Sequence, residues 1–184
     1  MKTSVVVATF NGEKYISQQL QSILDQTVKC DEVIIGDDCS SDNTVRIIES
    51  FINNNSLFPS WKLIRNKNNK GFIKNFHDLI CEATGEIIFL ADQDDLWKED
   101  KVECIKNIFI KDKNHTILSL NTGFRVIDQN GDLINHQQKN ANNGQINCIM
   151  ENKEIKQCSL KIYRRDVRWL YEKKWLNCIE NMQL

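Results

Sequence analysis

No stretch of this 184-residue chain carries enough consecutive apolar residues to span a bilayer, so no transmembrane helix is expected. Neither sign of charge dominates: 24 basic against 25 acidic side chains leave a net charge of −1. That balance gives no global field favouring nucleic acid or an anionic membrane. The seven cysteines include no Cys-x-x-Cys pair, and the three histidines are far apart. Zinc sites and disulfide frameworks therefore lack their usual signatures. Cysteines such as Cys81 and Cys104 fall on apolar positions and read as buried free thiols. Gly-x-Gly-x-x-Gly and Walker sequences are also missing, which removes support for the dinucleotide and ATP folds built on them. Residues Met1 to Thr3 lead directly into a β-branched run, too short for a secretion signal. The expected location is cytoplasmic.

What is present is alternation. Short β-branched runs predict strands at Ser4–Thr9, Glu32–Asp37, Lys62–Arg65 and Glu86–Ala91. Between them, apolar residues recur at helical spacing: Ile16, Leu20, Ile23 and Leu24; Val45, Ile48, Phe51 and Ile52; Phe72, Phe76, Leu79, Ile80 and Ala83. Ser41 or Asp42 suits the N-cap of the second helix, and Gly85 suits a stop after the third. Strand–helix alternation with short links predicts an α/β fold with a mostly parallel sheet flanked by helices. After Trp97, Val102, Ile105 and Phe109 mark another helix. Strands at Thr116–Asn121, Phe124–Ile127 and Cys158–Tyr163 predict a mixed or antiparallel C-terminal extension. A turn at Asp128–Asp132, a polar loop from Asn135 to Asn147 and a last helix at Asp166–Asn177 complete the reading.

In open α/β sheets, ligands bind beyond the carboxyl ends of the strands, and the polar groups of this chain gather there. Strand one runs into Thr9-Phe10-Asn11-Gly12-Glu13, and strand two into Asp37-Asp38-Cys39-Ser40-Ser41-Asp42. The fourth runs into Asp92-Gln93-Asp94-Asp95. Asp37, Asp38 and Asp42 also suit turns and caps, and the Asp92–Asp95 run also suits a solvated helix N-terminus. Acids this close repel, so one of them needs a raised pKa or a bound cation. A hard ion such as Mg²⁺ or Mn²⁺ favours an all-oxygen site.

The segments Ser4–Gly12, Gln19–Thr27, Glu32–Thr44 and Gly85–Trp97, in this order and spacing, resemble family 2 glycosyltransferases. These are inverting enzymes of GT-A fold that use nucleotide-diphosphate sugars. The resemblance covers Ser4 to about Lys101 and weakens towards Arg165. It implies that Thr9, Phe10 and Asn11 line the base-binding end of a donor site, and that Asp38 accepts the ring N–H of a uracil- or thymine-type base. Asp94 would approach the ribose or the metal, and Asp95 would hold Mg²⁺ or Mn²⁺ on the diphosphate. Asp92 belongs to the same metal cluster, and Lys74 would contact phosphate or base. The string Ala-Asp-Gln-Asp-Asp-Leu-Trp is similar to bacterial rhamnosyltransferases of surface polysaccharide assembly, which points to dTDP-rhamnose as donor.

The implied division is one domain, 1–184, with a nucleotide-sugar-binding half at 1–101 and a partial acceptor-side half at 102–184. The implied acceptor is a glycan or a lipid-linked glycan, the latter bringing the protein to the inner face of the membrane. Lys156–Arg165 resembles the latter half of the family's acceptor-side segment without its glycines. Comparable enzymes continue where this chain stops at Leu184, so a truncated chain is expected. Glu172 and Glu180 lack the context of a catalytic base, and none is assigned. The alternative is a non-catalytic remnant that binds a sugar nucleotide. A phosphatase-type nucleophile is missing, because strand one ends in Thr-Phe-Asn.

Overall fold

The computed structural model describes residues 1–123, residue 127 and the strand segments 147–149 and 161–164. Strands β1 (Thr3–Thr9), β2 (Glu32–Asp37), β3 (Trp61–Arg65) and β4 (Ile87–Asp92) alternate with helices α1 (Ile16–Leu24), α2 (Thr44–Asn54) and α3 (Phe72–Glu82). Helix α4 (Lys101–Lys111) follows β4, and the short strands β5 (Ser119–Asn121), β6 (Asn147–Ile149) and β7 (Lys161–Arg164) come after it. All join one sheet in the order β3-β2-β1-β4-β7-β5-β6. The first four strands are parallel to their neighbours, whereas β7 pairs antiparallel with both β4 and β5. The expected mostly parallel sheet with a mixed extension is what forms.

Helices cover both faces, which is why β1 is apolar without alternation. Val5 and Val7 pack in a layer with Ile16, Leu20 and Ile23 of α1, Ile48 of α2, and Val102, Ile105 and Phe109 of α4. Val6 and Ala8 turn to the other face, against Phe76, Leu79 and Ala83. Each large side chain buried this way contributes about 1.5–3 kcal/mol relative to exposure. The sheet is thereby a rigid base for the loops at its carboxyl edge.

Several expectations need adjustment. Strand β4 starts one residue later than expected and runs on through Asp92, so the first acid is part of the sheet. Helix α2 begins at Thr44 after Asn43, whose side chain makes no cap bond; Asp42 Oδ1 instead accepts the Thr44 N–H at 2.9 Å. Gly85 is not a helix stop, since α3 ends at Glu82 with Ala83 in an extended conformation. Gly85 is needed because a Cβ there would lie 2.6 Å from Ser4 N. The strand expected at Thr116–Asn121 shortens to Ser119–Asn121 because the Asp112 carboxylate takes the N–H groups of Thr116 and Ile117. Of the thiols expected to be buried, Cys81 is half-buried and Cys104 exposed; Cys30 is half-buried and Cys39 exposed. Asn147, at the end of the expected polar loop, opens β6. The expected strand Phe124–Ile127 apart from Ile127, the turn at Asp128–Asp132 and the helix at Asp166–Asn177 lie outside the described residues. Among the described residues no helix is long and apolar enough to cross a membrane.

Candidate functional site

β1 lies between β2 and β4, in a register that pairs Thr9 with Asp37 and Ala8 with Asp92. The three polar strand ends therefore share one rim. Backbone and side chains bind them together. The Asp38 N–H donates to Thr9 O at 2.9 Å. On the other side, Gln93 Oε1 accepts from Thr9 Oγ1 at 2.7 Å and from the Phe10 N–H at 2.9 Å. A backbone N–H can only donate, which fixes this atom of Gln93 as the oxygen. Gly12 makes room for it, since a Cβ there would sit 2.3 Å from Gln93 Oε1.

The first two loops are laced to each other as well. The Asn11 N–H donates to Ser40 Oγ at 2.9 Å, and Asn11 Oδ1 accepts the Ser41 N–H at 2.9 Å. Thr44 Oγ1 accepts the Gly12 N–H at 2.7 Å, and Glu13 Oε2 takes the Asn43 N–H at 3.0 Å. Two non-glycine residues in these loops, Asn11 (φ 49°) and Cys39 (φ 67°), hold left-handed backbone conformations. Asparagine tolerates that region, whereas cysteine does so at a cost of about 1 kcal/mol or more. The lacing holds both in place.

Asp38 is 3% exposed. Its Oδ1 accepts from Asn66 Nδ2 at 3.0 Å and the Lys70 N–H at 2.8 Å, and its Oδ2 from the Gly71 N–H at 2.8 Å. Asn66 Nδ2 also reaches Asn75 Oδ1 at 3.1 Å, and Asn75 Nδ2 donates to Gly36 O at 2.8 Å. The carboxylate is thus fixed against the loop before α3. Among the described residues Oδ1 takes two hydrogen bonds and Oδ2 one, which leaves one acceptor position on Oδ2.

On the β4 side the electrostatics are unfavourable. Burial, followed by the nearby Asp95 and Asp94 charges, pushes the Asp92 carboxyl up to about 6. Burial also raises Asp95, with Lys101 opposing it. Lys101 is itself pulled down to about 8 by burial, with Asp95 opposing. Its Nζ lies 4.1 Å from the centre of the Trp97 ring, a cation–π position. Asp95 Oδ2 is buried and has no hydrogen-bond partner among the described residues. An anionic oxygen left in that condition fits a hard cation. The described residues do not gather three or more His, Cys, Asp or Glu side chains about one point. The donor set therefore suits an ion held by one or two carboxylates and completed by phosphate oxygens and water, as is usual for Mg²⁺.

Some expected residues take other positions. Thr9 is buried, and its hydroxyl is spent on Gln93, so it braces the rim rather than lining an open cleft. Phe10 is 45% exposed at the same edge, and Asn11 faces the Ser40–Ser41 loop. Lys74 is bound to Asp78 at 3.3 Å on the outer surface of α3, because a carboxylate one turn away on the same helix face is its nearest counter-charge. Asp38 and Asp95 lie on opposite flanks of Thr9–Phe10. Both acids follow strands paired in register with β1, Asp38 after β2 and Asp95 after β4. Sequence reasoning passed over Gln93, Asn66, Asn75 and Lys101. Gln93 could have been found from its place between the acids.

The family model described as glycosyl transferase family 2 matches residues 4–171. The dTDP-rhamnosyl transferase RfbG of Shigella flexneri is 40% identical over 102 residues, which make up 53% of this chain and 34% of RfbG. The structure of Staphylococcus aureus TarS 1–349 in complex with UDP superposes with a TM-score of 0.69 at 25% identity, covering 94% of this chain and 49% of that one. Mannosyltransferase PcManGT from Pyrobaculum calidifontis, solved with GDP-Man and Mn²⁺, shares the fold at a TM-score of 0.58 and 23% identity, over 64% of this chain and 34% of its own. The chain spans about half or less of the length of each.

Proposed function

Because the chain belongs to glycosyl transferase family 2, with the fold of its solved relatives, we propose that it binds a nucleotide-diphosphate sugar with Mg²⁺ or Mn²⁺. It would transfer the sugar, with inversion, to a glycan or lipid-linked acceptor in bacterial surface polysaccharide synthesis. The observation that carries this reading is the shared rim of β2, β1 and β4. Along it an anchored carboxylate, Asp38, follows β2 on one side of β1, and the acid group Asp92 to Asp95 ends and follows β4 on the other. A nucleotide sugar has the matching order: a base with an imide N–H, a ribose, then a diphosphate.

In this reading the open position on Asp38 Oδ2 accepts the imide N–H, and Phe10 offers a ring face to the base. Asp94, exposed on the loop, meets a ribose hydroxyl or the metal. Asp95, with Asp92 and Asp94 beside it, holds the cation. When bound, the cation supplies Lewis-acid stabilisation of the charge that builds on the departing diphosphate. The protein's own part is orientation: the rim would hold the anomeric carbon so that the acceptor hydroxyl approaches opposite the leaving group. The likeness to RfbG supports dTDP-rhamnose as donor. The parallel half, 1–101, would carry the donor and 102–184 the acceptor side.

The test is calorimetry of dTDP-, UDP- and GDP-sugars with Mn²⁺ and with EDTA, followed by transfer assays. Metal-dependent binding of a uracil or thymine donor is expected, with the dTDP-sugar tightest. Equal affinity for the GDP-sugar, or no effect of EDTA, would overturn the assignment.

A further inference from the structure

Asp94 and Asp95 are attached to the sheet by little of their own. The Asp95 N–H reaches Asp92 O at only 3.5 Å. The segment just after them is held tightly, and by an element that bears no acid of the site. Gln26, at 1% exposure just beyond α1, uses both ends of its amide. Its Nε2 donates to Lys98 O at 2.8 Å and to Ser22 O at 2.9 Å, and its Oε1 accepts the Val102 N–H at 3.0 Å. Val102 lies in the first turn of α4, where N–H groups have no partner within the helix, so Gln26 caps α4 from another element. Two neighbours reinforce it. Ser22 Oγ accepts the Trp97 N–H at 3.2 Å, and the Thr27 N–H donates to Glu99 O at 2.8 Å. On the other side of the acids, Gln93 is bound to Thr9 and Phe10. The Asp94–Leu96 turn therefore spans two glutamine anchors.

We propose that Gln26 is a positioning residue for the acid turn: through Lys98 and Val102 it fixes where Trp97 and Lys101 sit, and so where Asp95 meets the cation and diphosphate. This rests on the donor-and-metal reading above. The physical reason is that a cation shared between one or two carboxylates and a phosphate tolerates little displacement of the carboxylate. A buried amide with all three bonds satisfied is a rigid support, whereas alanine would leave the Lys98 carbonyl and the Val102 N–H unpaired.

The experiment compares wild type, Gln26→Ala, Ser22→Ala and the control Gln21→Ala, whose side chain, among the described residues, bonds to Asp25 just past the same helix. Each is titrated with dTDP in the presence of Mn²⁺, with dTDP in EDTA, and with thymidine alone, and each is melted. Gln26→Ala is expected to lose at least tenfold in Mn²⁺-supported dTDP affinity while its thymidine affinity and metal-free dTDP affinity stay within twofold. Ser22→Ala should show the same pattern more weakly, and Gln21→Ala should match wild type. If Gln26→Ala does not fold, Ser22→Ala alone decides. A folded variant with unchanged Mn²⁺ dependence, or an equal loss for thymidine, overturns the proposal. Wild-type protein that ignores Mn²⁺ would instead overturn the donor-and-metal reading.

Discussion

Replacing Asp92 by asparagine should stabilise the protein at neutral pH in the absence of metal. The folded-state pKa of this group is raised from 3.8 to about 6 by burial and by its two acidic neighbours. An acid whose pKa is higher when folded holds its proton more tightly in that state, so its ionisation opposes folding. The penalty is absent below about pH 3.8, grows between the two values, and is complete above pH 6. A rise of that size corresponds to about 3 kcal/mol. Asp92 keeps partial access to water, and screening is expected to reduce this to roughly 1–2 kcal/mol. For a domain of this size that is about 2–8 °C in melting temperature. The assay is thermal unfolding in EDTA at pH 4.5 and 7.5. Asp92→Asn should melt above wild type at pH 7.5, with a clearly smaller gap at pH 4.5. Using the difference between the two proteins removes the carboxylates held low in the fold, such as Asp78, near 2 through its bond to Lys70. An equal gap at both pH values, or a variant that melts lower at pH 7.5, would refute the electrostatic account.

Three other outcomes follow from the same geometry. Asp95→Ala should abolish Mn²⁺-dependent donor binding while the metal-free melting temperature stays level or rises, because it removes a buried oxygen without a hydrogen-bond partner among the described residues; a titration in which Mn²⁺ still tightens binding would contradict this. Asp38→Ala should weaken uracil- or thymine-nucleotide binding more than metal dependence. It should also destabilise the fold by about 2–4 kcal/mol, since the donors on Asn66, Lys70 and Gly71 lose their acceptor, as chemical denaturation would show. Gly12→Ala should cost about 1–3 kcal/mol by forcing Gln93 off the rim, and denaturation showing no loss would mean that Gln93 relaxes freely.

The parallel half was legible because its physics is local. A run such as Val5-Val6-Val7 has no polar face, so it had to lie in a sheet covered on both sides. The site was half legible. Strand-end aspartates announce a ligand edge, but composition does not say which carboxylate is spent on its own chain. Asp38 satisfies three donors that come from residues 66 to 71, a link made only by folding. Lys74 is the reverse case: its partner Asp78 stands four residues on along the same helix, a spacing the sequence itself displays. Gln26 is one polar residue among several near α1 until the fold brings it against Lys98 and Val102.

The reversal of direction between β4 and β7 has an architectural effect of its own. Running against β4, β7 begins on the acidic side of the sheet, where its first residue, Lys161, sits opposite Asn121, the last residue of β5. Asn147, which opens β6, meets Asn121 from the other side. The later half thus has three doorways onto the border where the donor would lie. In the proposed reading, insertions or deletions at those doorways are expected to alter which second reactant is admitted and to leave donor binding unchanged.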